Sequence, residues 1–445
     1  MYRISANWKN GRCAIDNLND TADSSSESQS VAPIEHTHIL LTRQYVITAS
    51  SNPSSLPRLL VRNKGDSNII QTITCKPSLP HVTASISALA LDQCRPSSAE
   101  ADQHVRIAVF LSTGEFNIFE LAHSSSSIPS IPKFTYAPRS ASARHRTSSA
   151  SVTHAAFHHP LLVTLSDTFT VSIYDLNDGI ITRTQTLSSF TSYPPTSLVL
   201  SAMSESVTYK LVLAYAVPVY PAHWSVGATE LIISRSGASE SSHPFDSLPN
   251  FALGPMAVIK TRTARAVDTP PGFIDERKLL LMRAQWDRKV KKIADTQTDG
   301  KWVVLAAGDP LTASTNATST APSSAPPTPS FISSASHSSA HLQLYRLQMP
   351  SSAHAPKLTF VRTLRGPLGA TVALSLADGR CVSLSANGSI WVWDLDGGEG
   401  AEVANPVALD AMDARTTDVK GTVTFDERRI VSAGVRGVEV RRFDI

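Results

Sequence analysis

The sequence predicts an all-β fold, a seven-bladed β-propeller, on three observations. A short alternating apolar run, a tight polar turn and a second alternating run ending in an aromatic residue recur along the chain, which is the period-two pattern of a β-hairpin. Helical periodicity is nearly absent outside one stretch. Seven hairpin units fit the length, because at ~42 residues per four-stranded blade they take about 295 residues and leave about 150 for insertions.

In chain order the units are Tyr45 to Asn63, Ala108 to Leu121, Leu162 to Gly179, Lys210 to Arg235, Trp302 to Leu347, Val382 to Gly398 and Ile430 to Asp444. The clearest is Val382 to Gly398, where Asn387-Gly388 supplies the two-residue turn and Ile390-Trp391-Val392-Trp393 the outgoing strand. The last unit, Thr422 to Ile445, provides three strands and stops, and Gly11 to Leu18 could supply the fourth, since a ring closed by both chain ends leaves no exposed sheet edge. The domain reading is therefore a lead-in segment, 1–10, followed by one propeller over 11–445. Low-complexity Ser/Pro-rich insertions near 20–33, 122–150, 236–250 and 311–340 hold too little apolar surface to offset the entropy of ordering, and are expected as disordered loops. The last interrupts one hairpin, between Val303-Val304-Leu305 and Leu342-Gln343-Leu344, so it extrudes from a blade and is not a domain boundary.

One stretch departs from the strand pattern. From Asp275 to Ile293 the apolar residues Leu279, Met282, Trp286, Val290 and Ile293 fall at helical spacing behind an N-cap-like Asp275. The rival reading is a strand pair, Lys278 to Met282 and Lys289 to Asp295, the second opening the fifth blade.

The 40 Lys and Arg nearly balance the 37 Asp and Glu, for a net charge of +3. That field is too weak to gather nucleic acid or an anionic membrane, so neither is expected as a partner. Cys13, Cys75, Cys94 and Cys381 are scattered without a C-x-x-C pair, which argues against a zinc ribbon or a disulfide framework and for a reducing compartment, cytoplasmic or nuclear. The start of the chain has no apolar leader, and the most apolar run, Leu211 to Tyr220, is about half of the ~20 residues a membrane helix needs.

Trp393-Asp394, preceded by Ser385-Ala386-Asn387-Gly388-Ser389-Ile390, resembles the WD-repeat propeller family. The resemblance implies a hydrogen-bonded set in which Trp393, Ser385 and Asn387 take the roles of the repeat's Trp, Ser and turn Asp, with Asp394 ending the strand. Here no His precedes the blade, and Tyr174, Phe119, Tyr345 or Phe443 stands in place of the Trp elsewhere. A second resemblance lies at the start: Asn7-Trp8-Lys9-Asn10-Gly11-Arg12 is similar to the segment that follows the F-box and leads into the propeller in F-box/WD-repeat proteins, substrate receptors of Skp-cullin-F-box ubiquitin ligases. It implies a protein-binding propeller that recognises a protein or phosphopeptide, with ubiquitin ligase components as partners if an F-box is encoded upstream of Met1. Without an F-box, the expectation is a stand-alone WD-repeat scaffold that assembles protein complexes.

No G-x-S-x-G elbow, P-loop, G-x-G-x-x-G fingerprint or H-E-x-x-H helix is present, so no enzyme activity, catalytic residue, metal or cofactor is expected. His154, His158 and His159 are close in sequence, yet two of them on one strand at positions 154 and 158 stand about 13 Å apart, too far to share an ion. Partner-binding candidates are Arg436 in the last blade's turn, and Arg43 and Arg365 beside inner strands, since an Arg at the turns of a propeller takes a phosphate or carboxylate bidentately. Trp391 is a fourth, either a partner anchor or packing between blades. Arg144 and Arg146 ahead of Ser149, and Thr328-Pro329, read as phosphorylation sites.

Overall fold

The computed structural model describes residues 2–18, 36–64, 69–79, 81–94, 104–122, 131–138, 150–189, 197–203, 208–219, 222–235, 254–269, 272–308, 341–350, 355–366, 369–403, 421–434 and 437–445. The chain opens with helix α1 (Tyr2–Asn10) and strand β1 (Ala14–Asn17), and then builds six antiparallel four-stranded sheets in sequence order. They are β2 (Thr37–Leu41), β3 (Tyr45–Ser50), β4 (Arg58–Asn63) and β5 (Ile69–Thr74); then β6 (Ile86–Leu91), β7 (His104–Leu111), β8 (Phe116–Ala122) and β9 (Phe134–Tyr136). The third is β10 (Val152–His158), β11 (Leu161–Ser166), β12 (Thr170–Asp175) and β13 (Thr182–Ser188). The fourth is β14 (Ser197–Ala202), β15 (Thr208–Val219), β16 (His223–Arg235) and β17 (Met256–Arg265). Helix α2 (Glu276–Asp287) precedes the fifth, β18 (Ile293–Thr298), β19 (Trp302–Ala307), β20 (Leu342–Gln348) and β21 (Lys357–Leu364). The sixth is β22 (Thr371–Ala377), β23 (Arg380–Ser385), β24 (Ile390–Asp394) and β25 (Gly400–Val403).

The seventh sheet joins both ends of the chain: β26 (Thr422–Phe425), β27 (Arg429–Gly434) and β28 (Gly437–Arg442) are completed by β1. The register is Ala14 opposite Arg442 through Asn17 opposite Glu439, and Leu18 N donates to Val438 O at 2.9 Å. First strands touch in a circle, β2 to β6, β6 to β10, β10 to β14, β14 to β18, β18 to β22, β22 to β26 and β26 back to β2. The protein is a seven-bladed β-propeller.

Each gap between neighbouring blades holds its own apolar cluster. A second strand is covered on both faces and so reads as a continuous apolar run: every residue of β11, LLVTLS, is buried. The outer strand β13, TRTQTLS, has no buried residue and carries the polar alternation. The gap between the seventh and first blades has the sparsest filling among the described residues, Leu18, Ile39 and Val46 against Val431, Ala433 and Val440. Polar contacts supplement it: Lys64 pairs with Asp426, and Arg429 Nη1 donates to Lys64 O at 2.8 Å.

Helix α1 sits at the ring's join. Trp8 is buried, stacked on Phe443 with ring centroids 4.0 Å apart, and its Nε1 donates to Glu427 O at 2.9 Å. The Arg380 guanidinium lies 5.0 Å from its ring on the sixth-blade side. Asn7 Nδ2 donates to Phe443 O at 2.9 Å. Gly11 must be glycine: its φ is +63°, and a Cβ there would stand 2.0 Å from Glu402 O.

Two expectations change in detail. Phe134–Tyr136, inside the span 122–150, forms β9 and pairs with β8, because Phe134 and Tyr136 fill the gap to the third blade. Both readings of 275–293 hold in part: the Asp275 side chain accepts from Lys278 N at 2.8 Å and starts α2, which ends at Asp287, while Val290 bridges Trp224 and Ile293 begins β18. The insertions 20–33, 236–250 and 311–340 lie outside the described residues, as do Ser149 and Thr328.

Replacing Trp8 with Ala removes the stack and leaves a cavity, and is expected to destabilise the ring by about 3–5 kcal/mol. Trp8→Phe keeps the stacking and loses one hydrogen bond, costing about 1 kcal/mol. Urea denaturation of the two variants beside wild type measures both.

Candidate functional site

In an up-and-down four-stranded blade, the second-to-third-strand turns and the connections between blades gather on one face, and the other turns gather on the opposite face. Arg365 follows β21 in the connection to the sixth blade and is exposed on the first of these faces. Trp391, half-buried on β24, stands beneath the same connection: its ring stacks on Trp393 at 6.0 Å and 24°. A Cβ on Gly366 would stand 2.5 Å from the Trp391 ring, so only glycine lets the loop cross it. Asn387 Oδ1 accepts from Ser389 N at 3.0 Å and shapes the adjoining turn, with Gly388 at φ +83°. Arg365, Trp391 and Asn387 are thus brought together by one loop and one turn. Arg43 lies in the β2–β3 turn and projects on the opposite face. Arg436 lies outside the described residues.

The hydrogen-bonded set implied by the WD resemblance does not form. Trp393 pairs opposite Cys381 and Trp391 opposite Ser383, which leaves Ser385 at the end of β23 beside the turn. Trp393 Nε1 and the hydroxyls of Ser383, Ser385 and Ser389 are all buried without a hydrogen-bond partner. Asp394 instead holds the next turn, its Oδ1 accepting from Asp396 N at 3.1 Å and Gly397 N at 3.3 Å.

The residue equivalent to Trp393 is found in other blades by the backbone hydrogen bond two residues later. Leu395 N donates to Gly379 O, and the matching bonds are Lys64 N to Gln44 O, Leu176 N to Pro160 O, Leu347 N to Lys301 O and Phe443 N to Arg428 O. The equivalents are therefore Arg62, Tyr174, Tyr345 and Arg441. Phe443, expected in the Trp role, stands where Leu176, Leu347 and Leu395 stand. Arg62 Nη1 donates to Thr48 Oγ1 and Arg441 Nη1 to Ser432 Oγ, each at 3.0 Å. A buried guanidinium thus makes the strand-to-strand bond that an indole would make. Sequence reading for aromatics missed both arginines; the hydroxyl residue on the preceding strand was the available signal.

A cleft of about 140 Å³ opens on the opposite face between α1 and the sixth blade, lined by Trp8, Lys9, Arg380, Asp394 and Glu399 among others. It is below the ~300–1,000 Å³ of a small-molecule site. Among the described residues no group of three or more His, Cys, Asp or Glu is placed to hold a metal ion. Burial pushes the Cys75 thiol up to about 12 and raises that of Cys381 further, so both stay protonated core residues.

His38 lies on the inner strand β2 with His36 just ahead of it, and His154 lies on the inner strand β10. His36 and His38 rings contact edge to face at 4.7 Å, and His38 Nε2 donates to Ile86 O at 3.0 Å. Burial, and then the neighbouring His36, lower both His38 and His154 to about 4.

A family model described as the F-box protein pof12 beta-propeller matches residues 30–409. The chain belongs to that family. The match to the pof12 propeller covers the first six blades and stops short of β26, so neither the Asn7-Trp8 segment nor the closing sheet falls within it. No curated protein matches the chain. Among solved structures it is similar to the β-propeller domain of Myceliophteria thermophila Cps50 (Swd1), at 9% identity over 92% of this chain and 96% of that one, with a TM-score of 0.44. The WD40 β-propeller domain of Doa1 aligns at 11% identity over 92% of each chain with a TM-score of 0.41. The computationally designed Ika8 protein aligns at 12% identity over 92% and 96%, with a TM-score of 0.38.

Because the fold keeps His38 and His154 neutral while the unfolded chain takes up protons below about 6.5, stability is full above that pH and falls as the pH drops from about 6.5 to about 4. The predicted loss is a few kcal/mol. His38→Gln, which keeps a donor toward Ile86 O, flattens the decline; thermal melts between pH 7 and pH 4 read the difference.

Proposed function

We propose that this chain is the substrate-recognition propeller of an F-box/WD-type Skp-cullin-F-box ubiquitin ligase receptor, acting in the cytoplasm or nucleus by binding and not by catalysis. The observation that carries the reading is membership of the pof12 propeller family over residues 30–409. The fixed lead-in helix supports it. Asn7 and Trp8 are bonded to Phe443 O and Glu427 O, so a domain joined ahead of α1 would be held close to the ring.

The partner is a protein or phosphopeptide engaged on the face that carries Arg365 and Trp391. An exposed Arg365, one residue from the Gly366 that crosses the half-buried Trp391 ring, offers a bidentate anion contact on the same face as an apolar anchor. WD-type propellers bind protein partners in general; the identity of this one lies in its loop side chains.

Affinity capture of the tagged natural gene product from its own cells is expected to enrich the Skp adaptor and a cullin. A capture containing partners but no Skp adaptor would reject the receptor reading in favour of the stand-alone scaffold. Arg365→Glu combined with Trp391→Ala should lower recovery of the captured substrate by about tenfold, a loss of about 1.4 kcal/mol. Arg43→Glu, on the opposite face, should leave recovery unchanged.

A further inference from the structure

Helix α2 has no buried residue, although it carries Leu279, Leu280 and Leu281 in succession. It is nevertheless fixed. Lys278, Met282 and Gln285 form its half-buried side, and Gln285 Oε1 accepts from Asp268 N at 3.3 Å. Just past its end the Arg288 guanidinium lies 4.5 Å from the Phe360 ring, Gln343 Nε2 donates to Arg288 O at 2.9 Å, and Val290 pairs with Trp224. The helix is a platform presented to solvent.

At 100° per residue, Arg277, Leu280, Ala284 and Asp287 fall within an arc of about 80° on the side turned away from Lys278, Met282 and Gln285. All four are exposed. Their spacing, three, four and three residues, is the seam of a two-helix packing, with small Ala284 next to Leu280 in its centre and opposite charges at its ends. A membrane surface is a poor fit, since Glu276 and Asp287 would be pressed into the lipid along with Leu280.

We propose that α2 is a self-association surface whose occupant is the α2 of a second copy of this chain, packed antiparallel about a two-fold axis. In that arrangement Leu280 meets Ala284 of the second copy, and Ala284 meets its Leu280. Arg277 faces Asp287, and Asp287 faces Arg277, so one seam satisfies itself in both directions. Only the antiparallel orientation does this, because parallel helices would set Arg277 against Arg277. It also aligns the two helix dipoles head to tail. Phe273, 86% exposed just ahead of the helix, extends the apolar contact at each end. The inference is independent of the ligase reading.

Sedimentation velocity of the full chain from about 1 to 100 μM tests it. Wild type should shift from monomer toward dimer across that range. Arg277→Asp and Asp287→Arg each place like charges in the seam twice, and each should weaken the dimer by at least about tenfold. The double variant carrying both changes restores opposite charges and should regain wild-type association. Thermal melts check that all variants fold, as expected for exposed positions. A wild type that stays monomeric at 100 μM overturns the proposal, and is the result expected if this helix docks into a different protein. Single variants that associate like wild type, or a double variant that fails to recover, overturn it equally.

Discussion

The pairing of β1 with β28 is the contact on which the rest of the molecule depends. Six blades are made by consecutive chain, but the seventh sheet is left one strand short and with an unpaired edge until β1 joins it. Residues more than 400 positions apart must meet to close it, as Asn7 and Phe443 do. The loop-closure entropy of that meeting is offset at one place by several interactions together: four ladder pairs, the Trp8–Phe443 stack and the Trp8 Nε1 bond to Glu427 O. The same join borders the gap with the sparsest apolar filling, which Lys64, Asp426 and Arg429 reinforce with charge.

Within each blade the recurring element is a position on the third strand, and its chemistry varies more than its geometry. In the first, third and fifth blades a register shift falls directly before it, between Val61 and Arg62, Ile173 and Tyr174, and Leu344 and Tyr345. Such a bulge turns the strand and aims that side chain along the blade. Tryptophan, tyrosine and arginine all satisfy the site because each combines a long flat apolar surface with a donor at its far end. At Trp393 the donor goes unused, and the indole contributes packing alone.

The architecture was readable because hairpin turns and period-two runs are local signals. Asn387-Gly388 announces its turn without reference to anything distant. The closing strand was readable for a different reason: the seventh sheet was one strand short, and the resemblance of Asn7-Trp8-Lys9-Asn10-Gly11-Arg12 to the segment that enters an F-box/WD propeller implied a strand just after it. What escaped reading was register. Whether Ser383 or Ser385 lies diagonal to Trp393 is decided by a shift of two residues that composition does not encode. Arg62 and Arg441 escaped because a charged side chain normally signals surface, and here paired hydroxyls made burial tolerable. Of the candidate face, Arg365 and Trp391 were found separately, and the loop that unites them depends on Gly366, whose importance appears only once the ring beneath it is seen.

Ala14 lies opposite Arg442, so the two ends of the chain leave the closing sheet side by side. Tension drawn between them would part the ladder like a zipper, one rung at a time, and not shear all rungs together. The weak point of a zipper is its first tooth, and here that tooth is covered: the indole and the amide of Trp8 and Asn7 clamp the spot where peeling would begin. The short helix therefore acts as a mechanical latch, guarding the seam against any load that reaches the ring through its own termini.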